Sequence, residues 1–144
     1  MSFAYTPAKY KFGRGEIAWQ SSDIRVLLVM SNTTADTDQD AATISAFTTL
    51  DEFDGANYVR KAPTGEAVNQ DDVNNRAELD ADDITWTALG ARTRQGIAMV
   101  VYKFVTDDTD SVPILYIDSG GFPFTGNGGN VAVTWNVEAI GQIT

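Results

Sequence analysis

The chain has 144 residues, 43% hydrophobic and 21% charged, which is enough for one soluble domain whose core needs no crosslink or metal. With Cys 0 and His 0, disulfides, dithiol redox chemistry, Cys nucleophiles, Ser-His-Asp triads and the usual His/Cys zinc sites are excluded. Setting 10 Lys and Arg against 20 Asp and Glu gives a net charge of −10, which repels nucleic acid and anionic membrane surfaces.

The charge is uneven. Met1 to Ser31 carries +2, Asn32 to Asp83 carries −10, and Ile84 to Thr144 carries −2. No Pro- or Ser-rich linker and no internal repeat divides the chain, so residues 1–144 read as a single β-rich domain with an acidic middle. The longest apolar run, Ile97 to Tyr102, is too short to span a bilayer, and Met1 to Gly15 lacks the apolar stretch of a secretory signal.

In chain order, the first predicted element is a short basic helix at about 6–13. Thr6 is its candidate cap, Pro7 suits its start, and Gly13 and Gly15 stop it. Ile24 to Met30 is a near-continuous apolar run rich in branched residues, as in a central strand buried on both faces. A second helix is predicted from about Ala42 to Phe53, where Ile44, Phe47, Leu50 and Phe53 recur every third residue, with Asp40 as its cap. Tyr58 to Arg60 is a weaker strand candidate, and Glu66 to Leu79 reads as an extended polar edge or long loop.

Downstream the period becomes two. Ile84, Trp86 and Ala88 alternate with threonines, and Val131, Val133, Trp135 and Val137 alternate with Ala132, Thr134 and Asn136, so both segments read as half-buried strands. Gly96 to Val105 and Pro113 to Ile117 are denser strands, and the turn-forming Thr106 to Ser111 between them predicts an antiparallel hairpin. The expected fold is mainly β: an antiparallel β-sandwich or partly closed barrel with two short helices.

Four features could carry chemistry. Asp36, Asp38 and Asp40 alternate as in a calcium loop, but Ala41 stands where the glycine belongs and Phe47 where the bidentate Glu belongs, so a solvated loop ending in a helix cap is favoured. Asp71, Asp72, Asp80, Asp82 and Asp83 offer paired carboxylates of the kind that cleave glycosides, yet they sit among turn-forming polar residues. Asn127-Gly128-Gly129-Asn130 has the composition of a phosphate cradle but leads into a strand, so no helix N-terminus faces an anion. Trp86 and Trp135 share the register of core residues, which leaves Trp19 as the tryptophan freest to meet a partner.

The order of these pieces carries further information. A short basic helix is followed by Phe12-Gly13-Arg14-Gly15-Glu16-Ile17-Ala18-Trp19 running into the Ile24 to Met30 strand. Then come Leu79-Asp80-Ala81-Asp82-Asp83-Ile84-Thr85-Trp86, Val100-Val101-Tyr102-Lys103, Ile114-Leu115-Tyr116-Ile117-Asp118, and Asn127-Gly128-Gly129-Asn130-Val131 to Trp135. This series resembles a family of small structural proteins of tailed bacteriophages. The likeness spans most of the chain but consists of strand-and-turn patterns, and Asn32 to Glu78 stands outside it.

The resemblance implies a virion component, foremost a head decoration or cement protein that binds the outside of the major capsid protein lattice and stabilises the head. It implies manufacture in the host cytoplasm, residence on the outer capsid surface, and clusters of copies such as trimers. No catalytic residue, cofactor or metal site is assigned. The expected partner-binding surface is the basic N-terminal segment, with Tyr5, Lys9, Tyr10, Lys11, Phe12, Arg14 and Trp19 meeting an acidic shell. A tail, collar or head-fibre component is the nearest alternative, and a carbohydrate-binding β-sandwich module is the alternative of another class.

Overall fold

The computed structural model describes residues 1–91, 94–136 and 138–144. Its elements in chain order are β1 (Phe3–Ala4), α1 (Thr6–Gly13), β2 (Ile24–Met30), β3 (Ala67–Asp71), β4 (Arg76–Asp80), β5 (Ile84–Trp86), β6 (Gly96–Lys103), β7 (Val112–Ile117), β8 (Val131–Val133) and β9 (Gly141–Ile143). The described residues are therefore mainly β with one α-helix, and every strand pairing among them is antiparallel.

The core lies around a four-stranded sheet of order β1-β7-β6-β2. Strand β2 buries every residue except the half-exposed Arg25, as its unbroken apolar run requires. Its partner β6 is buried from Ala98 to Tyr102, and the two register Val26 against Val101 and Leu28 against Met99. The expected hairpin joins β6 to β7: Asp110 accepts the Thr106 N–H at 2.9 Å, and Ser111 Oγ donates to the Asp107 carbonyl at 2.6 Å. Pro113 cannot donate to the ladder, and the β6–β7 register shifts beside it, between Val101 and Tyr102.

Two smaller sheets complete the described fold, one of order β3-β4-β9 and one pairing β5 with β8. All three strand orders are open, so no closed barrel forms among the described residues. Gly141 brings β9 onto the main sheet, since a Cβ there would lie 2.8 Å from Leu115 Cδ1 on β7.

Helix α1 occupies the expected span, but its cap is extended Tyr5 rather than Thr6. The Thr6 N–H instead donates to the Gln39 carbonyl at 2.9 Å, which ties the helix start to the acidic segment.

The second predicted helix does not form. Only a single 3₁₀ turn, Ile44–Ala46, appears there. Ile44, Phe47 and Phe53 are buried as the pattern demanded, but the backbone between them bonds outward to neighbouring segments. Ile44 N–H donates to Ser111 and Ser45 N–H to Asp108, while Phe53 N–H donates to Leu28 on β2. Asp51 sits at φ +44, which an α-helix cannot contain.

Tyr58 to Arg60 forms no strand; beside it Lys61 bridges Val26 on β2, and the Tyr58 hydroxyl accepts the Leu28 N–H at 3.0 Å. Glu66 to Leu79 holds the β3–β4 hairpin, whose outermost strand β3 is the exposed polar edge that the segment suggested. Strand β5 ends at Trp86 because Ala88 takes φ +51, and β8 ends at Val133. Val137 lies outside the described residues.

Candidate functional site

The helix that carries most of the expected partner residues borders a groove of about 480 Å³, within the size range of ligand pockets. Phe12 lines it from α1, Ile114 and Leu115 from β7, Leu79 from β4 and Ile143 from β9, with Lys9 at its edge. The β-register explains why apolar side chains from distant segments meet here. Leu79 opposes Gly141 and Ala77 opposes Ile143, so one face of the small sheet turns Leu79 and Ile143 towards the groove.

The seven N-terminal residues do not share one surface. Lys9 and Tyr10 are exposed, Phe12 is half-buried, and Lys9 makes no ion pair among the described residues. Lys11 and Arg14 both bind Glu16, Lys11 at 3.0 Å, so much of the local positive charge is neutralised. Arg14 also lies 5.4 Å from the centre of the Tyr10 ring.

Tyr5 and Trp19 are corrections to the expected surface. Tyr5 is fully buried, its hydroxyl donating to the Ala35 carbonyl at 2.7 Å, and burial pushes its pKa well above the usual tyrosine value. Trp19 is 2% exposed and donates its indole N–H to the Asp80 carbonyl at 2.8 Å. All three tryptophans are interior: Trp86 donates to the Val59 carbonyl at 2.7 Å and Trp135 to the Asp82 carbonyl at 2.9 Å. They form no exposed aromatic platform for a sugar ring.

No family model, curated protein or solved structure matches the chain.

Several of the carboxylates flagged by the sequence have structural partners. Asp83 accepts the Trp135 N–H at 3.0 Å, and Asp82 accepts the Thr64 hydroxyl at 2.8 Å. Asp71 accepts the Asn74 carboxamide and pairs with Arg76 at 3.0 Å, which holds it below the ordinary carboxylate range, chiefly through Asn74. Asp38 receives the Thr34 hydroxyl at 2.6 Å and the Thr48 N–H at 2.7 Å, and is lowered chiefly by the former. No group of three or more acidic side chains poised for a metal occurs among the described residues.

The glycine-rich stretch clasps a neighbouring loop. Asn127 Oδ1 accepts the Gly129 N–H at 2.9 Å, Asn130 Oδ1 accepts the Ala88 N–H at 3.0 Å, and Leu89 exchanges backbone bonds with Gly128 and Gly129. Sequence reasoning missed Leu79, Leu115 and Ile143 as lining residues. Their segments are far apart in the chain, and only the β4–β9 pairing brings two of them together.

Proposed function

We propose that this chain is a non-enzymatic structural protein of a tailed-phage virion, a head decoration or cement protein on the outside of the major capsid protein lattice. The reading rests on the ordered series of strand-and-turn segments from Phe12–Trp19 to Val131–Trp135, with the four-stranded sheet and the smaller sheets taken as layers of a sandwich. Within the geometry, the groove beside α1 supports it most directly. An apolar side chain of the shell would seat against Phe12, Leu115 and Ile143, and a neighbouring carboxylate would face Lys9.

The deciding measurement is the copy number of this chain in purified particles, by quantitative mass spectrometry against the major capsid protein. A ratio of the same order supports decoration, a small ratio moves the chain to the tail, collar or head fibre, and its absence overturns the virion reading. Lys9→Glu and Tyr10→Ala change exposed side chains and leave the core alone. If the groove is the docking site, Lys9→Glu lowers shell affinity by about tenfold, roughly 1.4 kcal/mol. Unchanged occupancy would exclude this face.

A further inference from the structure

We infer that Asn127 is a guarded modification site: the clasp between Ala88-Leu89 and Asn127 to Asn130 holds the Asn127–Gly128 junction against conversion to isoaspartate, and opening of the clasp releases that reaction. This goes beyond shell binding and does not depend on it. Asn127 is the one asparagine in the sequence followed by glycine. The chemistry needs only water. The Gly128 backbone nitrogen loses its proton and attacks the Asn127 side-chain carbonyl carbon, so that a C–N bond forms, the carboxamide nitrogen leaves as ammonia and a cyclic imide remains. Water then opens the imide, giving aspartate when it cleaves at the side-chain carbonyl and isoaspartate when it cleaves at the main-chain carbonyl. Glycine favours the attack because no Cβ shields its nitrogen.

Both reacting groups are engaged in the fold. The Gly128 N–H donates to the Leu89 carbonyl at 2.9 Å, and Asn127 Oδ1 accepts the Gly129 N–H at 2.9 Å. The first bond retains the proton that must leave, and the second fixes the carboxamide that must be attacked. Two more bonds close the clasp: the Leu89 N–H donates to the Gly129 carbonyl at 2.9 Å and the Ala88 N–H to Asn130 Oδ1 at 3.0 Å. Leu89 is fully buried, which anchors one side of the clasp in the core. The other side is wet. Asn127, Gly128, Gly129 and Asn130 are all exposed, and nothing lies within 4 Å of where a Cβ on Gly128 would stand. Hydrogen bonds rather than burial therefore guard the junction, and exposed backbone bonds open locally without global unfolding.

The same glycine makes the lock and the hazard. Gly128 sits at φ +83, a backbone conformation that glycine takes without strain, so the turn that seats its N–H on Leu89 selects the residue that leaves Asn127 most reactive. Conversion also keeps the clasp from closing again. Isoaspartate threads the side-chain methylene into the main chain ahead of Gly128, which moves the Gly128 N–H out of register with Leu89. It turns the acceptor of the Gly129 N–H into a main-chain carbonyl, and it adds a negative charge to a chain already at −10. A transient opening is thereby written permanently into the covalent structure.

Peptide mapping by mass spectrometry, with fragmentation that separates isoaspartate from aspartate, reads the conversion of the full chain at mildly alkaline pH. In the urea-unfolded chain Asn127 should convert ahead of every other asparagine, and in the folded chain it should convert roughly tenfold or more slowly, because only the open fraction reacts. Asn130→Ala removes the Ala88 bond from an exposed side chain, so the folded variant should convert roughly threefold or more faster than its parent, with an unchanged rate when unfolded. A second measurement needs no variant. Sub-denaturing urea should raise the parent's rate with a shallower dependence than that of global unfolding, since opening the clasp exposes less surface. The isoaspartyl form, isolated by chromatography, should lose hydrogen-exchange protection at the Gly128 and Leu89 amides. Equal rates in the folded and unfolded parent, a folded Asn130→Ala variant no faster than its parent, a urea dependence as steep as global unfolding, or an isoaspartyl form that keeps both amides protected overturns the proposal.

Discussion

Arg60 holds three segments together through one side chain. Its guanidinium donates to both carboxylate oxygens of Glu52, at 2.8 and 2.7 Å, and to Asp108 at 2.9 Å, and lies 5.5 Å from the centre of the Tyr102 ring. These partners raise its pKa above the ordinary value, Glu52 foremost, so it stays charged throughout. Removing it strands two carboxylates in a partly dry site. Arg60→Met should cost about 1–3 kcal/mol by chemical denaturation. Adding Glu52→Gln should then cost less than it does alone, since the two changes share one interaction. None of this clamp was legible in the sequence, where Tyr58 to Arg60 looked only like a weak strand. The residue-scale errors share a cause. Tyr5 and Trp19 flank the basic stretch of Lys9, Lys11 and Arg14, and nothing in the chain marks the backbone carbonyls that receive their polar ends inside.

At the scale of elements, strands with an unmistakable apolar pattern were legible: Ile24 to Met30, and the hairpin of β6 and β7, stand where their patterns placed them. The segment Ala42 to Phe53 was misread because burial every third residue also suits an irregular chain pressed against a sheet. Its Thr and Ser residues favour such local alternatives to helix. The β3–β4 hairpin escaped notice because only Leu79 on it is deeply buried, so its alternation of apolar and polar residues is faint. Loop packing was equally invisible. A Cβ at Gly126 would collide with the Gly90 carbonyl, and one at Gly90 would lie 2.9 Å from the Ala56 Cβ. Backbone cannot yield as a side-chain tip can, so Gly126→Ala should destabilise by about 1–3 kcal/mol. Thermal unfolding should show this as a drop of roughly 4 °C or more.

For the whole molecule, acid and alkali act on different groups. Asp38, Asp71 and Asp110 are held below their ordinary values, chiefly by Thr34, Asn74 and Thr106 respectively. The unfolded chain therefore binds protons first as pH falls. The stability these groups contribute is complete above the unfolded value near pH ~4 and is lost below it, as pH passes through the folded values. Tyrosines behave in the opposite direction. Burial raises Tyr5 and Tyr58, and it pushes Tyr116 up to about 12. Their contribution is complete below the unfolded value near pH ~10 and is lost above it. Calorimetry should give a plateau in midpoint between these limits with a fall on each side. Absorbance at the phenolate band should lag behind model tyrosine until the chain unfolds. A midpoint that keeps rising from pH 10 to 12 would contradict the burial of these phenols.

The pairing of β2 with β6 has a consequence during synthesis. Met30 opposes Gly96, so a seven-residue apolar strand leaves the ribosome long before its partner exists. At about 5–20 residues per second, the wait is roughly 3–13 s. Strand β1 waits longer still, because Phe3 opposes Tyr116. Throughout that interval the largely apolar β2 stretch lacks the strand that covers it, so the yield of folded protein should vary with the pace of translation between Asn32 and Gln95.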